Sequence, residues 1–351
     1  MAQEHGLPAY LTAKAVAMED ALRRKPSPHQ WLDHLEVTTR TDDASGVRKI
    51  DIREWRLLST GGRAVGDYEL GPTSPENASA AIVSCLTQVV MILAARRTVP
   101  LEHVRVEMRS LFSEAALFGV DSSDPHGLFD CELTFDLGHP GATEEVKRAF
   151  VEDVMAVCGL LQLLRKPTTV AVCLEDEPPA TVGDLGNYLA HKRHSLQALQ
   201  NDRPSAADWR DPVVAECTVD NASGVRRVRA GDWHSIHNGG SDFGDHGLGV
   251  MPTELFLGSL GTCLTHTILL LAAQQGLPVQ GVRTRVEADS HDARYLGFRA
   301  DEPLTDLAAH VSIAAPSLTA EAKQALLRDA EQQCGLLQTL ARSNDVRVQV
   351  L

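Results

Sequence analysis

Several familiar signatures are missing from this sequence, and each absence removes a class of function. Its seven cysteines include no CxxC pair, which argues against a zinc knuckle or a secreted disulfide framework. No GxGxxG or Walker pattern occurs, so no loop is expected to cradle phosphates, and Gly61-Gly62 and Gly239-Gly240 read as strand-end turns. Positive charge is short: 33 Lys and Arg stand against 47 Asp and Glu, a net charge of −14. That balance argues against unaided binding to nucleic acid or an anionic membrane surface. The opening MAQEHGLPAYLTAK has neither the basic start nor the apolar run of a secretory signal, so a cytoplasmic protein is expected.

What is present suits a compact, acidic globule. The 351 residues are 43% apolar, enough for two ordinary cores, and the 23% that are charged are mixed in sign. Two apolar stretches, NASAAIVSCLTQVVMILAA from Asn77 and LFLGSLGTCLTHTILLLAA from Leu255, reach the length of a membrane span. Their interior polar residues, and flanks without aromatic belts or one-sided basic charge, favour buried core helices.

The chain repeats itself. A shift of 178 residues lays Tyr10-Leu11 on Tyr188-Leu189, Lys14 on Lys192, Pro26-Ser27 on Pro204-Ser205, and DDASGVRK from Asp42 on DNASGVRR from Asp220. In the same register Glu76 falls on Glu254 and Cys85-Leu86-Thr87 on Cys263-Leu264-Thr265. A shift of 176 then lays CGLLQLL from Cys158 on CGLLQTL from Cys334. The expected division is a first module over 1–178 and a second over 179–351. Each copy reads as α+β. A first helix (Ala13 to Arg24; Asp184 to Gln200) precedes strand runs such as HLEVTTRT and VRKIDIREW, joined by Asp- and Gly-bearing turn chemistry. The all-apolar cysteine helix follows, then a strand, a variable region, an amphipathic helix ending through CGLLQLL or CGLLQTL, and a short closing strand.

Four cysteines match across the repeat, Cys85 with Cys263 and Cys158 with Cys334, whereas Cys131, Cys173 and Cys217 have no counterpart. Small thiols also suit core positions, so packing alone is the plain alternative for any one of them. A peroxide-reducing site requires a thiolate, a nearby cation and a second thiol that traps the sulfenic acid. The two cysteines of a copy meet only if their helices pack together. Arg48 and Arg226, just past the hairpin turn, are matched cations suited to lowering a thiol pKa, with Arg105 and Arg283 as rivals. Glu76 and Glu254 each lie nine residues before the first cysteine, about half a helical rotation away. Glutamate and cysteine therefore share a site only if the helix breaks, or if each glutamate serves the other copy's cysteine. His234, His237, Asp242 and His246 occur in the second copy alone, and no metal or other cofactor is expected.

The segment GVMPTELFLGSLGTCLTHTILLLAAQQGLPVQGVRTRVEAD resembles the central stretch of the OsmC/Ohr family: Pro and Glu ahead of a small- and Leu-rich cysteine helix, then a Gly-x-Pro turn and a strand. GPTSPENASAAIVSCLTQVVMILAARRTVPLEHVRVEM is a more divergent version, with Thr98 where Gly276 stands. CGLLQLL and CGLLQTL are similar to the family's second-cysteine motif, with Cys-Gly in place of the more usual Cys-Pro. The resemblance implies two α+β modules wrapped into an intramolecular pseudo-dimer around buried cysteine helices, with further oligomerisation open. It implies a stress-response peroxidase for organic hydroperoxides or hydrogen peroxide, in which Cys85 and Cys263 attack and Cys158 and Cys334 resolve. Glu76, Glu254 and an arginine, Arg48 or Arg226, would orient and activate. A dithiol reductant, a lipoyl protein or a small thiol, would be the partner, with neither nucleic acid nor membrane involved. A non-enzymatic redox sensor and a scaffold with packed cysteines are the alternatives.

Overall fold

The computed structural model describes residues 6–41, 43–175, 184–203, 205–298 and 302–351. Asp42 of the first turn, Pro204 of the second Pro-Ser pair and the expected boundary at 178/179 lie outside these residues. The first copy runs α1 (Leu7–Arg24), β1 (Leu32–Thr41), β2 (Arg48–Ile52), β3 (Trp55–Ser59), α2 (Ser74–Arg97), β4 (Val104–Ser113), β5 (Gly127–Leu137), α3 (Glu144–Val157), α4 (Gly159–Arg165) and β6 (Ala171–Leu174). The second repeats the order with α5 (Gly186–Asp202), β7 (Arg210–Val219), β8 (Arg226–Ala230), β9 (Trp233–His237), α6 (Pro252–Gln275), β10 (Gly281–His291), β11 (Leu304–Ala314), α7 (Ala320–Gln333), α8 (Gly335–Leu340) and β12 (Val346–Val350).

The cysteine helices α2 and α6 pack against each other at the centre. Both are long and apolar enough to cross a membrane, but 94% and 100% of their most apolar windows lie buried inside the fold. Their starts are set locally. The Thr73 N–H donates to Glu76 Oε2 at 2.7 Å and the Met251 N–H donates to Glu254 Oε2 at 3.1 Å, so each glutamate satisfies an orphan donor of its helix N-terminus. α6 ends on Gly276 in the left-handed region (φ 72), where α2 has Thr98 (φ 56).

Neither sheet belongs to one copy. One has the order β3-β2-β1-β10-β11-β6 and the other β12-β5-β4-β7-β8-β9. The seams are long antiparallel ladders, β1 on β10 from Leu32↔His291 to Thr41↔Val282, and β4 on β7 from Val104↔Val219 to Ser113↔Arg210. The closing strands also cross over, β6 lying parallel to β11 and β12 parallel to β5. β1 shows why the strands pair so: Leu35, Val37, Thr39 and Thr41 are buried on the face turned to the helices, with partly or fully exposed residues between them. The duplicated chain is thus a pseudo-dimer whose halves have exchanged strands.

Four local readings are corrected. VRKIDIREW is two strands, because the chain reverses at Arg53 (φ 49) between β2 and β3. The amphipathic helix breaks at its cysteine: Cys158 and Cys334 are extended (ψ 114 and 113) and stand as caps between α3 and α4 and between α7 and α8. Glycine is needed there for close approach, since a Cβ on Gly159 would lie 3.0 Å from Pro303 Cβ and one on Gly335 would lie 2.5 Å from Phe112 Cζ. The variable region holds full strands, β5 and β11, and β5 buries Cys131, Leu133, Phe135 and Leu137 in alternation. The first helix begins at Leu7 rather than Ala13, because Leu7, Tyr10 and Leu11 are buried.

Candidate active site

The break at the second cysteine of each copy presses its thiol against the cysteine helix. Cys158 Sγ lies 3.4 Å from Cys85 Sγ, both side chains are buried, and both sulfurs are free thiols. Cys263 and Cys334, both buried free thiols, also lie close enough to shift each other's ionisation. The backbone N–H of Leu160 near the start of α4 donates to Cys85, and that of Leu336 near the start of α8 donates to Cys263.

The two pairs are polarised differently. The hydrogen bond from Cys158 holds Cys85 below the usual thiol range against burial, helped by the Leu160 N–H, the Tyr295 hydroxyl at 3.9 Å and the Arg226 guanidinium. Burial, and the bond to Cys85, push Cys158 well up, so it keeps its proton. In the second pair the hydrogen bond with Cys334, burial and the charge of Glu114 push Cys263 well up. Cys334 is burdened by burial too, but Cys263 and the N–H groups of Leu337 and Leu336 hold it low.

The arginines explain part of this difference. Arg226 is fully buried; its Nε donates to Ser84 Oγ at 3.1 Å, and among the described residues its Nη1 and Nη2 have no hydrogen-bond partner. Arg48, its counterpart, is committed: Nη1 donates to Asp67 Oδ2 at 3.1 Å and sits 3.2 Å from His266 Nδ1. Asp67 also accepts from Lys192 Nζ and Tyr188 Oη, each at 2.7 Å. Against burial, Lys192 and Arg48 hold its carboxyl far below the usual range. The matched Asp245 accepts from Lys14 at 3.1 Å and from Tyr10. The repeated Tyr-Leu and Lys of the first helices therefore dock each helix on the other copy.

Each thiol pair draws its surroundings from both copies. Cys263 opens on a cavity of about 330 Å³ whose wall includes Arg48, Glu76 and Glu114 of the first copy beside His266 of the second. Cys85 opens on one of about 30 Å³, walled partly by Met251, Pro252, Asp292 and Tyr295 of the second copy. The half-rotation between Glu76 and Cys85 is resolved by exchange: Glu76 reaches the cavity of Cys263. Glu254 is instead held by Arg53, whose Nε and Nη2 meet its two oxygens at 2.6 and 2.9 Å. Arg53 escaped the sequence reading. Its signal was a glycine, Gly231, at the matching turn position of the second copy, where the left-handed backbone recurs (φ 55).

The rival arginine Arg105 is spent on the sheet surface, on Glu216 at 2.6 Å and Glu107 at 2.7 Å, and Arg283 on β10 walls neither thiol cavity. Burial pushes Cys131 to about 12 and Cys217 to about 11, which keeps both protonated near neutrality, while Cys173 is exposed. Among the described residues no three His, Cys, Asp or Glu side chains converge as a metal site.

A family model described as OsmC-like protein matches the chain twice, at residues 66–172 and 244–349. Each match spans one cysteine helix and one second cysteine. No curated protein matches the chain.

Proposed function

Because the chain belongs to the OsmC-like protein family, a family commonly linked to cysteine-based peroxidase activity, we propose that it reduces hydroperoxides through its paired thiols. The observation that carries this reading is the Cys85–Cys158 pair, two free thiols 3.4 Å apart, the first of them favoured as a thiolate by the charge of the buried Arg226. A thiolate attacks a peroxide oxygen, and the O–O electron pair leaves with the alcohol oxygen, which takes a proton. The products are Cys85 sulfenic acid and an alcohol. The Cys158 thiol then attacks the sulfenic sulfur; a disulfide forms and hydroxide leaves as water with the thiol proton. An external dithiol, a lipoyl protein or a small thiol, returns the disulfide to two thiols and is itself oxidised.

Three features support these roles. Cys158 retains its proton at rest, so Cys85 and not Cys158 is the thiol poised to meet the peroxide. Arg226 is buried with unpartnered Nη groups among the described residues, and its charge favours the Cys85 thiolate. The gap between the sulfurs exceeds the ~2.05 Å of a disulfide by little, so resolution requires only a small movement. Cys263 and Cys334 repeat the pairing of thiols, with Glu76 and Arg48 on the cavity wall, but in the reverse polarity: Cys263 is pushed up and Cys334 is the thiol held low, so attack by Cys263 first requires its proton to pass to a neighbouring base.

The test is consumption of cumene hydroperoxide and hydrogen peroxide with dithiothreitol or dihydrolipoamide. Wild type is compared with Cys85→Ser, Cys263→Ser and the double variant. Turnover that survives each single change for at least one peroxide and vanishes in the double variant is the expected result. Wild type without turnover would refute the peroxidase reading and leave a redox sensor.

A further inference from the structure

The two thiol cavities occupy equivalent positions under the repeat, yet one measures about 330 Å³ and the other about 30 Å³. Two positions bring bulk to the smaller site. Val65 on the wall of the Cys263 cavity is matched by Phe243, and Leu117 is matched by Tyr295. At the Cys85 site Phe243 packs between Trp31 and Tyr295, with ring centroids 5.6 and 6.2 Å away. Tyr295 reaches on to 3.9 Å from Cys85 Sγ. At the Cys263 site neither ring exists. Trp209, the counterpart of Trp31, stacks instead on Phe118 at 4.1 Å, and the space beside the thiol stays open. Resting on the peroxidase reading above, we infer that the two sites take different substrates. Phe243 and Tyr295 restrict Cys85 to hydrogen peroxide and peroxides of similar size, and the open cavity makes Cys263 the site for bulky organic hydroperoxides.

The chemistry of each step is that given above; only the group on the peroxide differs. A cavity admits one water at roughly 10–15 Å³, so about 30 Å³ suits hydrogen peroxide with its two heavy atoms, whereas a cumyl group has nine carbons and overfills it. The Cys263 cavity is within the range that holds small organic ligands, roughly 300–1,000 Å³. Arg48, Glu114 and His266 give its wall polar groups, and Phe112 and Trp209 give it apolar surface.

The experiment uses the reduced full-length protein, one equivalent of either peroxide, and peptide mapping of the two disulfides over time. Hydrogen peroxide is expected to oxidise the Cys85–Cys158 pair, and cumene hydroperoxide to oxidise the Cys263–Cys334 pair at least tenfold faster than the Cys85–Cys158 pair. Replacing Phe243→Val and Tyr295→Leu together should raise the rate of Cys85 with cumene hydroperoxide relative to its rate with hydrogen peroxide by at least tenfold, a ratio in which the loss of the Tyr295 hydroxyl, felt by both peroxides, cancels. The inference is overturned if cumene hydroperoxide oxidises Cys85 as readily as hydrogen peroxide does in wild type, or if the opened variant shows no gain. If neither peroxide oxidises either pair, the peroxidase reading falls and this inference falls with it.

Discussion

Arg48 and Arg226 occupy the same place in the two copies, but a carboxylate has claimed only one of them. Arg48 gives Asp67 a 3.1 Å hydrogen bond, while the Nη groups of Arg226 face the buried interior unpartnered among the described residues. A buried, uncompensated guanidinium is costly unless an anion approaches it, and the Cys85 thiolate is the group that its charge favours. Both cavities carry a matched acid that burial pushes up, Asp292 beside Cys85, raised to about 6, and Glu114 beside Cys263. Burial pushes Glu114 up to about 7, with Asp211 and Asp67 adding to the rise, Lys192 and Arg48 opposing it, and His266 3.9 Å away. A carboxyl raised above its unfolded value makes the native state bind more protons between the two values. Its stabilising effect is therefore complete below about 4.5 and is lost as pH rises through about 7. The loss across that window is on the order of 3 kcal/mol. Chemical denaturation of Glu114→Gln between pH 5 and 8 should show this part of the slope removed; a slope equal to wild type would mean that Glu114 ionises normally.

At the scale of elements, much was legible because the repeat acts as an internal alignment. It placed both cysteine helices, both second cysteines and both closing strands, and the 3.6-residue period alone required each glutamate to leave its own cysteine's face. What stayed hidden was set by the tertiary structure. The turn at Arg53 carries no glycine, the bend at Cys158 brings Gly159 up against the Pro303 and Tyr295 side chains of the other copy, and β5 and β11 lie where the copies differ in length. The anchors Asp67 and Asp245 stand at matched positions that the sequence reading passed over, and they acquire meaning only through the lysines of the other copy. The same register exposes a local strain. Thr98 adopts the left-handed conformation at the end of α2 that Gly276 adopts at the end of α6. Thr98→Gly should stabilise the protein by about 1 kcal/mol, read as a higher urea midpoint at unchanged slope; a lower midpoint would show that the threonine side chain contributes more than the strain removes.

At the scale of the whole molecule, duplication and strand exchange make one chain do what two identical subunits would otherwise have to do together. Both sheets contain strands of both copies, and each thiol pair is completed by side chains from the opposite half. The fusion also frees the two sites from identity, so that one can keep an unpartnered arginine and a closed aromatic wall while the other keeps an open cavity. The central claim is that each site is assembled across the copies. Its most direct test is Arg226→Gln, followed by stopped reaction with hydrogen peroxide and separate mapping of the two disulfides. Arg226 lies in the second copy and Cys85 in the first. The account predicts that formation of the Cys85–Cys158 disulfide slows by about a hundredfold, the scale of losing one preorganised donor to a reacting anion. Formation of the Cys263–Cys334 disulfide should continue at the wild-type rate and so report that the variant is folded. Slowing of the Cys263–Cys334 pair, with Cys85 unaffected, would contradict it.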